Sequence, residues 1–114
     1  MSASPTVLVV EDNQDVREII TEFLSAYGFT VISADDGKEG LDLFNKKSPD
    51  FVLADVLLPR TNGFQLCQTI KTGPRPVPVI LMSALYKSRN LQQEGKVKYG
   101  ADDYLIKPLD LMDL

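Results

Sequence analysis

The chain has 114 residues, close to the commonest size of one folded domain, and its 44% hydrophobic and 25% charged residues are ordinary for a globular protein. Its net charge of −4 argues against direct nucleic-acid binding, because duplex binding depends on Lys and Arg neutralising phosphates. A single cysteine excludes an internal disulfide and fits the reducing cytosol, no apolar run has the length of a membrane span, and no histidine is present.

The first half of the chain alternates predicted strands and helices. Thr6–Val10 is a continuous apolar, β-branched run, which predicts a strand buried on both faces. Apolar residues at three- and four-residue spacing then predict a helix of about 14 residues from Asn13, with Gly28 as its C-terminal cap. The apolar positions of that helix are Val16, Ile19, Ile20, Phe23, Leu24 and Tyr27. Thr30–Ala34 predicts a second strand and Gly37–Lys47 a second helix, with Leu41 and Phe44 turned inward.

The second half of the chain repeats this alternation. Asp50–Ala54 predicts a third strand that ends at Asp55, and Asn62 with Gly63 indicates a turn before the next helix. That helix carries the apolar residues Phe64, Cys67 and Ile70. The remaining predicted elements are a strand at Val79–Met82, a sparsely apolar helix over 85–99, a strand at Tyr104–Ile106 and a helix from Asp110 that is truncated to about one turn by Leu114.

Strands that alternate with helices predict an α/β domain with a doubly wound, five-stranded parallel sheet, right-handed crossovers and helices on both faces. Residues 1–5 are expected to form a disordered tail and residues 6–114 the domain. In such sheets ligands bind beyond the carboxyl ends of the strands, where the strand order reverses. The polar residues at those ends are Glu11, Asp12, Asp55, Ser83 and Lys107.

Three carboxylates among these residues predict a metal site. Glu11, Asp12 and Asp55 cannot all stay ionised at close range without a cation, unless one pKa rises strongly. Oxygen ligands without His or Cys favour a hard ion, Mg²⁺, with waters completing its octahedron. Taken singly, these residues have ordinary explanations: Asp12 as a helix N-cap, Asp55 as a turn residue, Ser83 as a strand-end hydroxyl and Lys107 as a solvated lysine. Their joint placement at the strand ends favours the site.

Four stretches occur in the order "VLVVEDN", "DFVLADVLLPRTNG", "VPVILMSA" and "GADDYLIKPLD". Together they resemble the receiver domain of bacterial two-component response regulators over residues 6–114. The resemblance implies the flavodoxin-like strand order 2-1-3-4-5. It also implies a cytoplasmic signalling domain that catalyses its own phosphorylation and dephosphorylation but acts mainly as a switch.

The resemblance gives each site residue a role. Asp55 resembles the phosphoacceptor, and Glu11 and Asp12 resemble the acidic pair that holds Mg²⁺, for which Mn²⁺ can substitute. The backbone carbonyl of Leu57 resembles a further ligand of the ion. The other switch residues are the hydroxyl of Ser83, the switch aromatic Tyr104, and Lys107, which contacts the phosphoryl oxygen and precedes a cis peptide bond to Pro108.

The same resemblance implies partners. Because the chain has no histidine, the expected phosphoryl donor is a phosphohistidine on a sensor histidine kinase or a phosphotransfer protein. The added group carries about −1.5 to −2 charges, enough to draw Ser83 inward and let Tyr104 turn. The expected output surface combines the helix over 85–99, the fifth strand and the last helix. It controls an output domain or a partner, including a second copy of the chain.

Other protein classes share parts of this pattern. A haloacid-dehalogenase-like phosphatase places its aspartyl nucleophile after the first strand, with a second acid two residues later, whereas Asp55 follows the third strand and Leu57 takes that second position. A flavodoxin-like FMN carrier needs a phosphate-binding loop where the acidic "EDNQD" stands. A pseudo-receiver, an interaction module without phosphorylation, remains the alternative, although the acceptor, acids and lysine that it usually lacks are all present.

Overall fold

The computed structural model describes residues 4–56, 58, 62–83 and 101–106, of which 103–106 are described by their backbone alone. Its elements are β1 (Thr6–Val10), α1 (Gln14–Ala26), β2 (Thr30–Ala34), α2 (Gly37–Lys47), β3 (Phe51–Asp55), α3 (Gly63–Thr72), β4 (Val79–Ser83) and β5 (Asp103–Ile106). The helix predicted over 85–99, the last helix predicted from Asp110 and most of the expected tail lie outside the described residues. None of the described helices is long and apolar enough to cross a bilayer.

The five strands form one parallel sheet in the order β2-β1-β3-β4-β5, which confirms the predicted topology. The strand order reverses at β1, which has β2 on one side and β3 on the other. Val10 is in register with Ala54 of β3, so the residues that follow them, Glu11 and Asp55, stand at the same level of the sheet. The reversal therefore opens the carboxyl edge of the sheet where two of the predicted site residues emerge.

Both faces of the sheet carry helices, as predicted. Leu8 and Val10 belong to the core on the side of α2 and α3, whereas Val7 and Val9 belong to the core on the side of α1. All four side chains are fully buried. Because successive strand residues point to opposite faces, only a continuous apolar run fills both cores at once. Each such side chain contributes about 1.5–3 kcal/mol through burial.

The first helix starts and ends close to the predicted residues. The side chain of Asn13 accepts a hydrogen bond from the backbone N–H of Val16 at 3.1 Å and caps α1. The C-terminal cap is Tyr27, and Gly28 follows it with a φ of +91° that suits glycine. The apolar spacing predicted the helix correctly but not the burial of every apolar member, since Ile19 is 54% and Tyr27 64% exposed.

The third helix begins with a capping box. The Asn62 side chain accepts a hydrogen bond from the Gln65 N–H at 2.9 Å, and the Gln65 side chain accepts one from the Asn62 N–H at 3.3 Å. Asn62 and Gly63 thus start α3, a more specific role than the turn that the sequence predicted. Cys67 and Ile70 face the core as predicted, and Phe64 packs against it half-buried.

Candidate functional site

An acidic cluster lies at the carboxyl edge of the sheet, beside the strand-order reversal. Glu11, Asp12 and Asp55 each place a carboxylate oxygen within 4.8 Å of the other two, so the structure brings together the three acids that the sequence predicted to meet. Glu11 is fully buried, Asp55 is 6% exposed and Asp12 is exposed. The cluster therefore has a buried floor and one side open to solvent.

The backbone of Glu11 is held from two sides. Its N–H donates to the carbonyl oxygen of Ala34 at 3.1 Å, which extends the pairing of β1 with β2 by one residue. Its own carbonyl oxygen accepts a hydrogen bond from Nη1 of Arg17 at 2.7 Å. The sequence did not indicate a role for Arg17, because a single arginine in a helix with many charged residues gives no signal of a contact to the preceding loop.

Asp12 does not cap the first helix. The cap is Asn13, whose φ of −83° and ψ of 116° are extended and whose side chain bonds to the first turn. The interpretation of Asp12 as an N-cap is therefore wrong. Its carboxylate lies with those of Glu11 and Asp55 instead.

Asp55 ends β3, and the backbone hydrogen bonds of the next residue, Val56, hold the main chain at this point. The Val56 N–H donates to the carbonyl oxygen of Met82 at 2.9 Å, and the Val56 carbonyl oxygen accepts from the Gly63 N–H at 2.9 Å. A Cβ on Gly63 would overlap the Asp55 carbonyl group, so only glycine lets α3 begin here. The sequence indicated only a turn at Asn62 and Gly63 and not this contact with Asp55.

Ser83 ends β4 and is 1% exposed. Because Asp55 is in register with Met82, Ser83 stands one residue beyond Asp55 on the neighbouring strand. Tyr104 lies within β5, level with Leu81, and its side chain is outside the described residues. Lys107, which follows Ile106 in the chain, and Leu57 also lie outside them, together with the expected cis bond to Pro108.

The donor atoms of the cluster fit a hard divalent cation. They are three carboxylate oxygens on three residues, with one of the carboxylates fully buried. Oxygens bound at about 2.0–2.1 Å to one octahedral Mg²⁺ are about 3–4 Å apart, so small side-chain rotations would bring oxygens that lie within 4.8 Å of one another to that spacing. Among the described residues this cluster offers neither nitrogen nor sulfur, which disfavours softer metals.

Comparison with known proteins gives the family. A family model described as the response regulator receiver domain matches residues 7–114. A probable transcriptional regulator ycf27 of Guillardia theta is 36% identical over 108 residues, which are 95% of this chain and 41% of that protein. The response regulator MprA of Mycolicibacterium vanbaalenii is also 36% identical over 108 residues, which are 95% of this chain and 46% of that protein. The chain thus spans less than half the length of these relatives.

Solved structures agree with this match. The receiver domain of the Francisella response regulator 1452 superimposes with a TM-score of 0.90 at 34% identity, covering 96% of this chain and 89% of that chain. The chemotaxis protein CheY4 of Vibrio cholerae gives a TM-score of 0.88 at 28% identity, covering 96% of this chain and 92% of that chain. The chain belongs to the response regulator receiver domain family, the phosphorylation-based signalling domains that interact with histidine kinases.

Proposed function

We propose that this receiver domain accepts a phosphoryl group on Asp55 in a Mg²⁺-dependent reaction and thereby changes the surface that its output domain or partner contacts. The observation that carries the proposal is the acidic cluster. In it the nearly buried carboxylate of Asp55 adjoins the exposed carboxylate of Asp12. A phosphodonor can therefore approach from the open side while the sheet holds Asp55 in place.

The inferred donor is a phosphohistidine of a sensor kinase or phosphotransfer protein, since this chain contains no histidine. A carboxylate oxygen of Asp55 attacks the phosphorus, and the P–N bond of the donor breaks. The bonding electron pair stays on the imidazole nitrogen, and the product is an aspartyl phosphate. Small acyl phosphates also carry an activated phosphoryl group, which they would transfer with cleavage of their P–O bond, and are proposed as substitute donors.

The Mg²⁺ ion, or Mn²⁺ as its substitute, would be held by Glu11, Asp12, Asp55 and the backbone carbonyl of Leu57. The bound ion supplies positive charge that stabilises the phosphoryl oxygens in the transition state. Lys107 is proposed to contact the same oxygens from the end of β5, and Ser83 to donate its hydroxyl from the end of β4. The negative charge on the phosphoryl oxygens is then stabilised by the cation, the Lys107 ammonium and the Ser83 hydroxyl, as phosphoryl transfer requires.

The proposed switch starts at Ser83, at the end of β4 beside β3, and at Tyr104 in β5, the next strand of the sheet. An added charge of about −1.5 to −2 on Asp55 would attract the Ser83 hydroxyl and free space for the Tyr104 ring. The proposed output surface combines residues 85–99, β5 and the chain from Asp110. Its proposed partners are an output domain or a second copy of the chain in the cytoplasm.

Intact-mass measurement tests this function. The chain is incubated with acetyl phosphate and Mg²⁺, alongside Asp55→Asn and, as a matched control, Asp15→Asn, whose exposed carboxylate lies outside the acidic cluster. We expect a gain of one phosphoryl group by wild type and Asp15→Asn, and none by Asp55→Asn or in the presence of chelator. Hydroxylamine should remove the group, as it does from acyl phosphates. No gain from acetyl phosphate or from a phosphohistidine donor would favour the phosphorylation-independent module.

A further inference from the structure

Arg17 links the first helix to the acidic cluster through one backbone oxygen. Its Nη1 donates to the Glu11 carbonyl at 2.7 Å, and its own N–H donates to the Asn13 carbonyl at 2.9 Å in the first turn of α1. The Arg17 side chain is half-buried, and Thr21 donates its hydroxyl to the Arg17 carbonyl at 2.7 Å. The guanidinium thus reaches back from a fixed position on α1 to the loop that carries the acids.

The Glu11 carbonyl belongs to the peptide group that joins Glu11 to Asp12. Because that group is planar, the direction of its carbonyl also sets the position of the Asp12 nitrogen and hence the exit of the Asp12 side chain. The other side of Glu11 is set by its N–H bond to Ala34 at 3.1 Å. The hydrogen bond from Arg17 therefore restrains the orientation of the peptide between the two acids.

We propose that Arg17 is a positioning residue of the acidic cluster, holding the Glu11–Asp12 peptide so that both carboxylates face the cation. This inference rests on the proposed function, because it takes the cluster to bind Mg²⁺. Arg17 does not touch the ion in this scheme. It acts through the carbonyl of Glu11 alone.

The charge of Arg17 and its positioning role predict opposite effects on metal affinity. A positive charge near a cation site repels the cation, so removing that charge should strengthen Mg²⁺ binding if charge alone mattered. Loss of positioning lets the peptide rotate and separates the carboxylates, which weakens binding. The sign of the change in the Mg²⁺ dissociation constant therefore identifies the role.

The test is a calorimetric Mg²⁺ titration of the wild-type chain, Arg17→Met, Arg17→Lys and Arg75→Met, repeated with Mn²⁺ by electron paramagnetic resonance. Arg75 is the matched control, because its guanidinium donates to the Ser48 carbonyl at 3.0 Å, outside the cluster. Residues that support metal ligands typically change affinity by about tenfold or more, and we expect a loss of about that size in Arg17→Met. Arg17→Lys should lie in between, and Arg75→Met should stay within about twofold.

Each outcome has one meaning. A dissociation constant in Arg17→Met that is unchanged or lower than in wild type overturns the positioning role. If Arg17→Met does not fold by circular dichroism, Arg17→Lys decides by the same comparison. The proposed metal site itself would be overturned if the wild-type chain bound no Mg²⁺, or if Asp12→Asn bound Mg²⁺ as tightly as wild type. Either result is distinct from a failure of the positioning role.

Discussion

Gly63, the first residue of α3, lies directly against the main chain of Asp55. A Cβ on Gly63 would overlap the Asp55 carbonyl oxygen and would lie 2.8 Å from both the Asp55 carbonyl carbon and the Val56 Cα. These neighbours are backbone atoms, which cannot rotate away as a side chain can. The start of α3 and the proposed phosphoacceptor are therefore packed as one rigid unit.

Gly63→Ala should destabilise the fold and slow phosphorylation together. Overpacking of this kind costs about 1–3 kcal/mol, and relief of the overlap must displace the Asp55 backbone. Urea unfolding gives the stability, and the rate of mass gain with acetyl phosphate gives the activity. Gly28→Ala is the control: its φ of +91° makes alanine unfavourable by about 1–2 kcal/mol, but nothing lies within 4 Å of the added Cβ. A destabilised Gly63→Ala that gains the phosphoryl group at the wild-type rate would contradict this coupling between the start of α3 and Asp55.

Asp12→Asn should stabilise the metal-free chain. It removes one of three carboxylates whose oxygens lie within 4.8 Å of one another, and relief of like-charge repulsion at that distance is worth roughly 1 kcal/mol at low salt. Mg²⁺ should raise the melting temperature of wild type in a concentration-dependent way and leave Asp12→Asn unchanged. Thermal unfolding with Mg²⁺ or chelator measures both effects, with Asp15→Asn as the control. A metal-free Asp12→Asn that melts below wild type would show that repulsion does not dominate.

Asp102 should matter more to stability than its ion-pair partner Lys71. One oxygen, Oδ2, accepts the Val79 N–H at 2.8 Å and the Lys71 ammonium at 2.9 Å, and Val79 is fully buried. Asp102→Ala leaves a buried donor without this bond, at a cost of about 1–3 kcal/mol. Lys71→Met removes a partly exposed pair worth about 0–1 kcal/mol, together with a longer bond from the ammonium to the Val77 carbonyl oxygen at 3.2 Å. Urea unfolding of both variants measures the difference. Equal losses of unfolding free energy in Asp102→Ala and Lys71→Met would contradict the larger role of the Val79 hydrogen bond.

Cys67 should make stability fall at alkaline pH. Burial raises the pKa of the Cys67 thiol from an ordinary value of 9.0 to about 12. The unfolded chain therefore releases this proton near pH 9 while the folded chain retains it. The resulting stabilisation is complete below pH 9 and is lost as the pH rises from 9 towards 12. Cys67→Ala should lose less stability than wild type between about pH 8 and pH 10 in urea unfolding. Equal losses of stability in wild type and Cys67→Ala over this pH range would contradict a buried, neutral thiol at Cys67.

The sequence by itself determined the sheet and the meeting of the acids. Residues 7–10 and 51–54 are apolar without alternation, because strands of a covered parallel sheet must fill a core on each face. Parallel strands end at the same edge, so Glu11 and Asp55 converge from positions far apart in the chain. These features follow from the apolar pattern of the strands and from their alternation with helices, whereas the strand order 2-1-3-4-5 was implied by the family resemblance.

Only the tertiary structure decided the contacts that support the acids. Asp12 and Asn13 are both favoured N-caps, and the backbone path into α1 selects Asn13. The bond from Arg17 to the Glu11 carbonyl depends on how α1 lies beside β1, and the contact of Gly63 with Asp55 depends on how the start of α3 packs against the end of β3. Such contacts join surfaces that the chain brings together only on folding, so no local pattern of residue types predicts them.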